Sequence, residues 1–408
     1  MVKHIVFLRN PEEPPAWGGL EKLMLDWFKN IDLNQCKVTL AVYSDWVMTF
    51  KNKLSENGLD VQVTALPFEH QQGNMLNRFF KLFLFLRGLK PSSVIFVQGW
   101  LFSFNLFDVF AAFLVSPSHV YMHENLGPPA PPVRTSKKYF GLFEGVGLWW
   151  YIQIYSAQLR ACISKKIIVV SREIKEMLVS LWRYPADKIL VMHPGIELDR
   201  YRPNQEIRFK MRASLNIAPD ETVIVAASRL SKEKCVDRTL KAFDALVKEF
   251  PQMTLVIIGT GALTGELTEL ARSLPSSQKI IFTGYVDNVG DYYKMSDIYV
   301  LSSDKEGFGI ALIEAMATGL LCVATKCPGP NEIIHDGING FLTEKSAEGV
   351  LNGLQKAIKL SKTQKAQIQQ KAMQSVSENF EMKQKIRDVF NALEISCREM
   401  YGYSPRAL

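Results

Sequence analysis

Two glutamates, Glu306 and Glu314, stand with seven residues between them in Ser303-Asp-Lys-Glu306-Gly307-Phe308-Gly309-Ile310-Ala-Leu-Ile-Glu314-Ala-Met-Ala-Thr-Gly319. Carboxylates accept hydrogen bonds from neutral hydroxyl groups. Gly307 and Gly309 leave the backbone bare between them, so a ligand can approach closely. The residues from Gly309 onward are good helix formers, and Gly319 suits a helix end. The unpaired N–H groups of that helix's first turn point back at the glycine loop and favour an anion. Two carboxylates thus flank a hole of phosphate size. The ligand such a stretch suits carries both hydroxyls and phosphate.

The elements around it must hold it open. The β-rich run Ile298–Leu301 comes just before, so Glu306 falls where a strand gives way to a loop. Similar runs recur through the second half at Val223–Ala227, Leu255–Ile258, Ile280–Phe282 and Leu321–Ala324. The first half has them at His4–Leu8, Val38–Val42, Val61–Ala65, Val94–Val97, Val120–His123, Ile167–Val170 and Ile189–Met192. Helical stretches separate them, which predicts βα units and parallel sheets. Ligands on such sheets bind at the carboxyl ends of the strands. After the first strand, a proline-stiffened loop from Arg9 closes on Gly18-Gly19, a pair that permits either phosphate contact or a plain tight turn. His123 ends the fifth strand ahead of a Gly-Pro-rich loop, as a ligand candidate or a satisfied buried histidine; Glu124 either orients it or is solvated. Gly259-Thr-Gly261-Ala-Leu-Thr-Gly265 is spaced one residue too long for the dinucleotide fingerprint and reads as a tight βα turn.

The Glu306–Glu314 stretch, with its strand, loop and helix, resembles the E-x7-E signature of glycosyltransferase family 4. The resemblance extends over nearly the whole chain and is sharpest at residues 226–342. It implies an α/β protein of GT-B fold, with two Rossmann-like domains whose parallel sheets face a central cleft. It implies transfer of a hexosyl unit from a UDP-, GDP- or ADP-sugar with retention of anomeric configuration. The leaving phosphate would take the acceptor's proton. By the same resemblance Arg229 and Lys234 grip the diphosphate, Glu306 holds sugar hydroxyls, Glu314 the ribose, and His123 lies near the transferred sugar. Gly18, Gly19, Gly307, Phe308, Gly309 and Ile310 line the nucleotide sugar, and the backbone at Tyr285 and Val286 meets the base. Glu332 takes a supporting place. Physically, a guanidinium and an ammonium neutralise charge as a diphosphate leaves. Ser228 and Cys235 depart from the family, which has glycine at both places. The connector at His193-Pro194-Gly195 resembles the interdomain segment, which implies a first domain over 1–200, a nucleotide-sugar domain over 201–380, and a final helix over 381–408 that crosses back to the first.

Composition bounds these readings. The 408 residues suit two or three domains, and 47% hydrophobic with 22% charged residues describes a globular chain. Six cysteines form no C-x-x-C pair and read as reduced thiols of a cytosolic protein. The opening Met1–Arg9 reads as a first strand and not a signal peptide. No Asp-x-Asp occurs, so no essential metal is expected, and no other cofactor is implied. The net charge of +7 suits a phosphorylated substrate, an anionic membrane surface or an ordinary basic enzyme; no basic cluster with interleaved aromatics marks a nucleic-acid site.

Two stretches are unusually apolar. Met75–Leu89 carries Arg78, Lys81 and Arg87 among aromatics, and Phe140–Ala157 has Glu144 as its single charge. Three glycines, Gln153 and the βα units on both sides argue against a spanning helix in the second. Burial in a core, an acceptor wall, or docking of a cytoplasmic protein on the inner membrane face each account for them. The expected activity is polysaccharide or glycolipid synthesis on a glycan or lipid-linked acceptor. The rivals are a catalytically inactive sugar-nucleotide-binding or scaffold protein, and another GT-B enzyme such as a phosphorylase or epimerase.

Overall fold

The computed structural model describes residues 2–9, 19–68, 74–98, 104–124 and 148–395. The chain divides into two units, Met1–Met192 joined by the segment from Ile386, and His193–Lys385.

The first unit alternates strand and helix: β1 Lys3–Arg9, α1 Gly19–Asn30, β2 Cys36–Val42, α2 Ser44–Glu56, β3 Gln62–Ala65, α3 Met75–Leu89, β4 Ser93–Gln98, α4 Leu106–Val115, β5 Val120–Glu124, α5 Leu148–Ile163, β6 Lys166–Val169, α6 Arg172–Ser180 and β7 Ile189–Val191. The sheet runs β3-β2-β1-β4-β5-β6-β7, with every pair parallel. The strands are short apolar runs because helices cover both faces of such a sheet. Val6, Phe7 and Leu8 of β1 and Ile95, Phe96 and Val97 of β4 are fully buried.

The second unit repeats the scheme: α7 Gln205–Ser214, β8 Thr222–Ala227, α8 Val236–Glu249, β9 Met253–Ile258, α9 Thr264–Ser273, β10 Ile280–Gly284, α10 Val289–Met295, β11 Ile298–Leu301, α11 Ile310–Ala317, β12 Leu321–Thr325, α12 Pro328–Ile333, β13 Phe341–Thr343, α13 Ala347–Lys359 and α14 Lys362–Asn379. Its sheet is also parallel, in the order β10-β9-β8-β11-β12-β13. Every expected strand is present; β13, only three residues long, is an addition. The last helix, α15 (Met382–Leu393), begins in the second unit and ends in the first.

In both sheets the strand order reverses beside the first strand, between β1 and β4 and between β8 and β11. At such a point the loops leaving the two neighbouring strands turn apart and expose their carboxyl ends. In the second unit those loops carry Arg229 and Lys234, after β8, and Glu306, after β11.

Candidate functional site

The loop after β8 is held by its neighbours' backbone. Gly259 has φ +123° and Gly261 lies beside it; a Cβ on Gly259 would meet the Ser228 carbonyl oxygen at 2.1 Å, and one on Gly261 the Leu230 oxygen at 2.4 Å. These glycines serve close packing of one loop on another. Cys235, which opens α8, sits at φ +48°. That left-handed conformation explains why glycine suits the position, since a Cβ strains it. Ser302 bonds this loop to the next, its hydroxyl donating to the Cys235 carbonyl at 2.9 Å, while Asp304 N–H donates to the Glu233 carbonyl at 2.8 Å.

These ties bring Lys234 onto Glu306. Nζ lies 2.6 Å from Oε2, with the two side chains 15% and 16% exposed, and the Ser303 hydroxyl is 3.5 Å from the same carboxylate oxygen. Arg229 is more open; its guanidinium lies 3.5 Å from Glu233. Arg238 pairs with Asp304 at 2.6 Å and braces the start of the Glu306 loop.

Gly309, at φ +106°, turns the chain into α11, a conformation that favours glycine. Phe308 is buried beneath this turn, with its ring stacked on His193 at 5.0 Å and edge-on to Phe380 at 5.4 Å. His193 Nε2 lies 3.0 Å from Glu332 Oε2, so Glu332 supports the loop through the histidine. Gly329 presses so closely on Phe308 that a Cβ would meet its carbonyl oxygen at 1.7 Å. Glu314, inside α11 and 4% exposed, accepts a hydrogen bond from the Tyr201 hydroxyl at 2.5 Å. Burial raises the Tyr293 and Tyr299 hydroxyls well above their usual range, and the Glu314 charge adds to both. Tyr285 is exposed after β10, its hydroxyl 3.2 Å from Asp287, and Val286 is half-buried.

Thus Lys234, Glu306, Gly307, Phe308, Gly309, Ile310 and Glu314 fall in one continuous region at the β8–β11 switch point. His193 and Tyr201 belong to it too, although the sequence reading gave neither a role at the site. Both sit in the connector, where a histidine before Pro-Gly was the available signal.

In the first unit, Arg9 pairs with Glu21 of α1 at 2.8 Å, both buried. His123 is 2% exposed at the end of β5, with Trp27 edge-on at 5.0 Å and, among the described residues, no hydrogen-bond partner on Nδ1. Burial, with the Arg9 charge adding to it, lowers its pKa to about 4, so the ring is neutral near pH 7. Gly19 begins α1; Gly18 lies outside the described residues, as does the side chain of Glu124. Among the described residues no cluster of three metal-binding side chains occurs.

Residues 17–200 match the family Glycosyltransferase Family 4, and residues 207–374 match Glycosyl transferases group 1. Together these matches, both to glycosyltransferase families, run along residues 17–374, each over less than half of the chain. An uncharacterized glycosyltransferase of Methanocaldococcus jannaschii is 30% identical over 200 residues, 48% of this chain and 51% of that one. An alpha-monoglucosyldiacylglycerol synthase of Streptococcus pneumoniae is 32% identical over 180 residues, 43% of this chain and 41% of that one. The chain thus spans about half the length, or less, of these curated relatives. Among solved structures, Anabaena HepE in complex with UDP and glucose aligns with a TM-score of 0.75 at 19% identity, over 96% of this chain and 99% of that one. WaaG, a glycosyltransferase involved in lipopolysaccharide biosynthesis, aligns with a TM-score of 0.69 at 14% identity, over 94% and 99%. The chain therefore has the two parallel-sheet α/β domains of the GT-B class.

Proposed function

We propose that this glycosyltransferase moves a hexosyl unit from a nucleotide-sugar donor to a glycan or lipid-linked acceptor, with retention of configuration. The observation that carries the reading is the Lys234–Glu306 contact at the glycine turn into α11. A cation, a carboxylate and the N-terminal end of α11 meet there, which is the chemistry of a molecule with a diphosphate beside sugar hydroxyls. Lys234 and Arg229 neutralise the leaving diphosphate, Glu306 positions the sugar, and Glu314 with Tyr201 meets the ribose. His123 of the first unit, kept neutral, can take part in a hydrogen bond without adding charge. No metal or other cofactor is assigned a step, since these two cations supply the charge stabilisation.

The HepE complex supports a uridine nucleotide as the first donor to try. The name of the pneumococcal relative supports a glycolipid product, and the part of WaaG in lipopolysaccharide biosynthesis supports a glycan on a lipid. The enzyme would then work in the cytoplasm, at the inner face of the membrane where lipid-linked acceptors lie. The test is hydrolysis of UDP-, GDP- and ADP-sugars by purified protein, followed by NMR of the product anomer. Turnover of one donor class with a retained anomer is the expected result. No binding of any nucleotide sugar overturns the proposal; binding without turnover returns the inactive sugar-nucleotide-binding reading.

A further inference from the structure

Helices α3, α4 and α5 lie on one face of the first sheet. The crossovers β3–α3–β4, β4–α4–β5 and β5–α5–β6 all run the same way across it, and right-handed crossovers then place their helices on one side. α3 packs on α4, and α4 on α5. Yet α3 buries only Leu82 and Leu86 fully. Met75, Leu76, Phe80 and Leu84 on α3 are 53–63% exposed. Phe110 and Leu114 on α4 are exposed as well, and so are three large residues of α5. Of the fifteen exposed large apolar residues among those described, nine fall on these three helices, so the exposure is concentrated and not scattered. Phe79 stacks on Phe110 at 6.1 Å and on Phe83 at 6.2 Å, which joins the surfaces of α3 and α4.

The exposed charges that α3, α4 and α5 carry have one sign. The three helices contain a single carboxylate, Asp108, which is fully buried and held by both arms of Arg78 at 2.9 and 2.7 Å. Arg78 also lies 4.0 Å over the Phe68 ring. It is thus turned inward and does not belong to the basic surface that its place in the sequence suggested. Lys81, Arg87 and Lys90 remain, all exposed. Three adjoining helices with exposed apolar residues, exposed cations and no exposed carboxylate of their own match the boundary between acyl chains and anionic headgroups.

We infer that this face docks on a membrane surface rich in anionic phospholipid. The inference deepens the lipid-linked acceptor half of the proposed function and rests on it for its purpose. Donor hydrolysis in vesicle-free buffer tests that function separately, so the two can fail independently.

The test is co-sedimentation of the full chain with vesicles of phosphatidylcholine alone or mixed equally with phosphatidylglycerol. The protein pellets with the mixed vesicles at low salt, stays in solution with phosphatidylcholine, and is released by high salt. Each surface cation is worth about fivefold in partition. Lys81→Ala with Arg87→Ala therefore weakens binding by about 25-fold, and Leu84→Ser with Leu114→Ser weakens it as well. Lys362→Ala with Lys371→Ala on α14, an equal loss of charge in the other unit, leaves binding unchanged. All these variants keep the wild-type circular dichroism and the vesicle-free donor hydrolysis. Protein that stays in the supernatant with the mixed vesicles overturns the inference. So does equal weakening by the α14 pair, which would assign the binding to net charge. Pelleting without vesicles would give the face to a second copy of the chain and would also overturn it.

Discussion

Lys234 Nζ and Glu306 Oε2 lie 2.6 Å apart, although 72 residues separate them. The pair forms because β8 and β11 are neighbours at the point where the strand order reverses, so their outgoing loops meet. With both side chains about one-sixth exposed, the contact is partly shielded from water and stronger than a surface ion pair.

Lys234→Ala and Arg229→Ala should each lower turnover by ~10²–10³ at saturating donor, the usual effect of removing one charged donor to a developing oxyanion. Steady-state kinetics on the donor found by the hydrolysis screen gives the answer. Near-normal turnover in both variants would remove the diphosphate clamp from the proposal.

Activity should survive a chelator. In the proposed function Arg229 and Lys234 provide the charge stabilisation that a divalent ion supplies in other transferases. Turnover is measured in EDTA and again after magnesium or manganese is added. Complete loss in EDTA with recovery on either metal contradicts the assignment.

Arg78→Ala should destabilise the first unit by about 3–5 kcal/mol, because it removes the cation that is hydrogen-bonded to the buried Asp108 carboxylate. Burial already pushes the Asp108 pKa up, against the pull of Arg78. Urea denaturation measures this directly. A loss below about 1 kcal/mol would show that Arg78 is dispensable to the packing of α3 on α4.

Stability should fall as the pH drops below about 6.5. The unfolded chain protonates His123 there, whereas the folded chain resists until about pH 4. Protons therefore favour the unfolded state across that window, by at most about 1.4 kcal/mol per pH unit for one group. His4, also lowered by burial, acts in the same direction. His123→Gln should flatten the slope of unfolding free energy between pH 6.5 and 4.5. An unchanged slope would mean that His123 does not titrate as described.

Cys235→Gly should change stability by less than about 1 kcal/mol, since relief of the left-handed strain offsets the lost burial and added chain freedom. Cys235→Val should cost more than about 1 kcal/mol, because a β-branched side chain crowds that conformation. Thermal melts of both variants separate the cases. Equal stability of the two would mean that the backbone at residue 235 shifts freely.

The strands were legible because a parallel sheet covered on both faces needs unbroken apolar runs, and Ile167–Val169 and Val223–Val225 are such runs. The turn at Gly309 and the helix after it were legible for a local reason: glycine and good helix formers specify their own backbone. Local pattern likewise marked Glu306 and Glu314 as a pair. The partners of these residues were decided elsewhere. Tyr201 reaches Glu314 across 113 residues, and His193 reaches Glu332 across 139. Those contacts depend on strand order and helix packing, which periodicity does not encode. The same holds for α3, where a run of apolar and basic residues read alike along its length. Packing against α4 turned Arg78 toward Asp108 and left Lys81 in solvent. A sequence period states which positions share a face of a helix. Only the tertiary structure decides what that face meets, because the partner comes from a distant part of the chain.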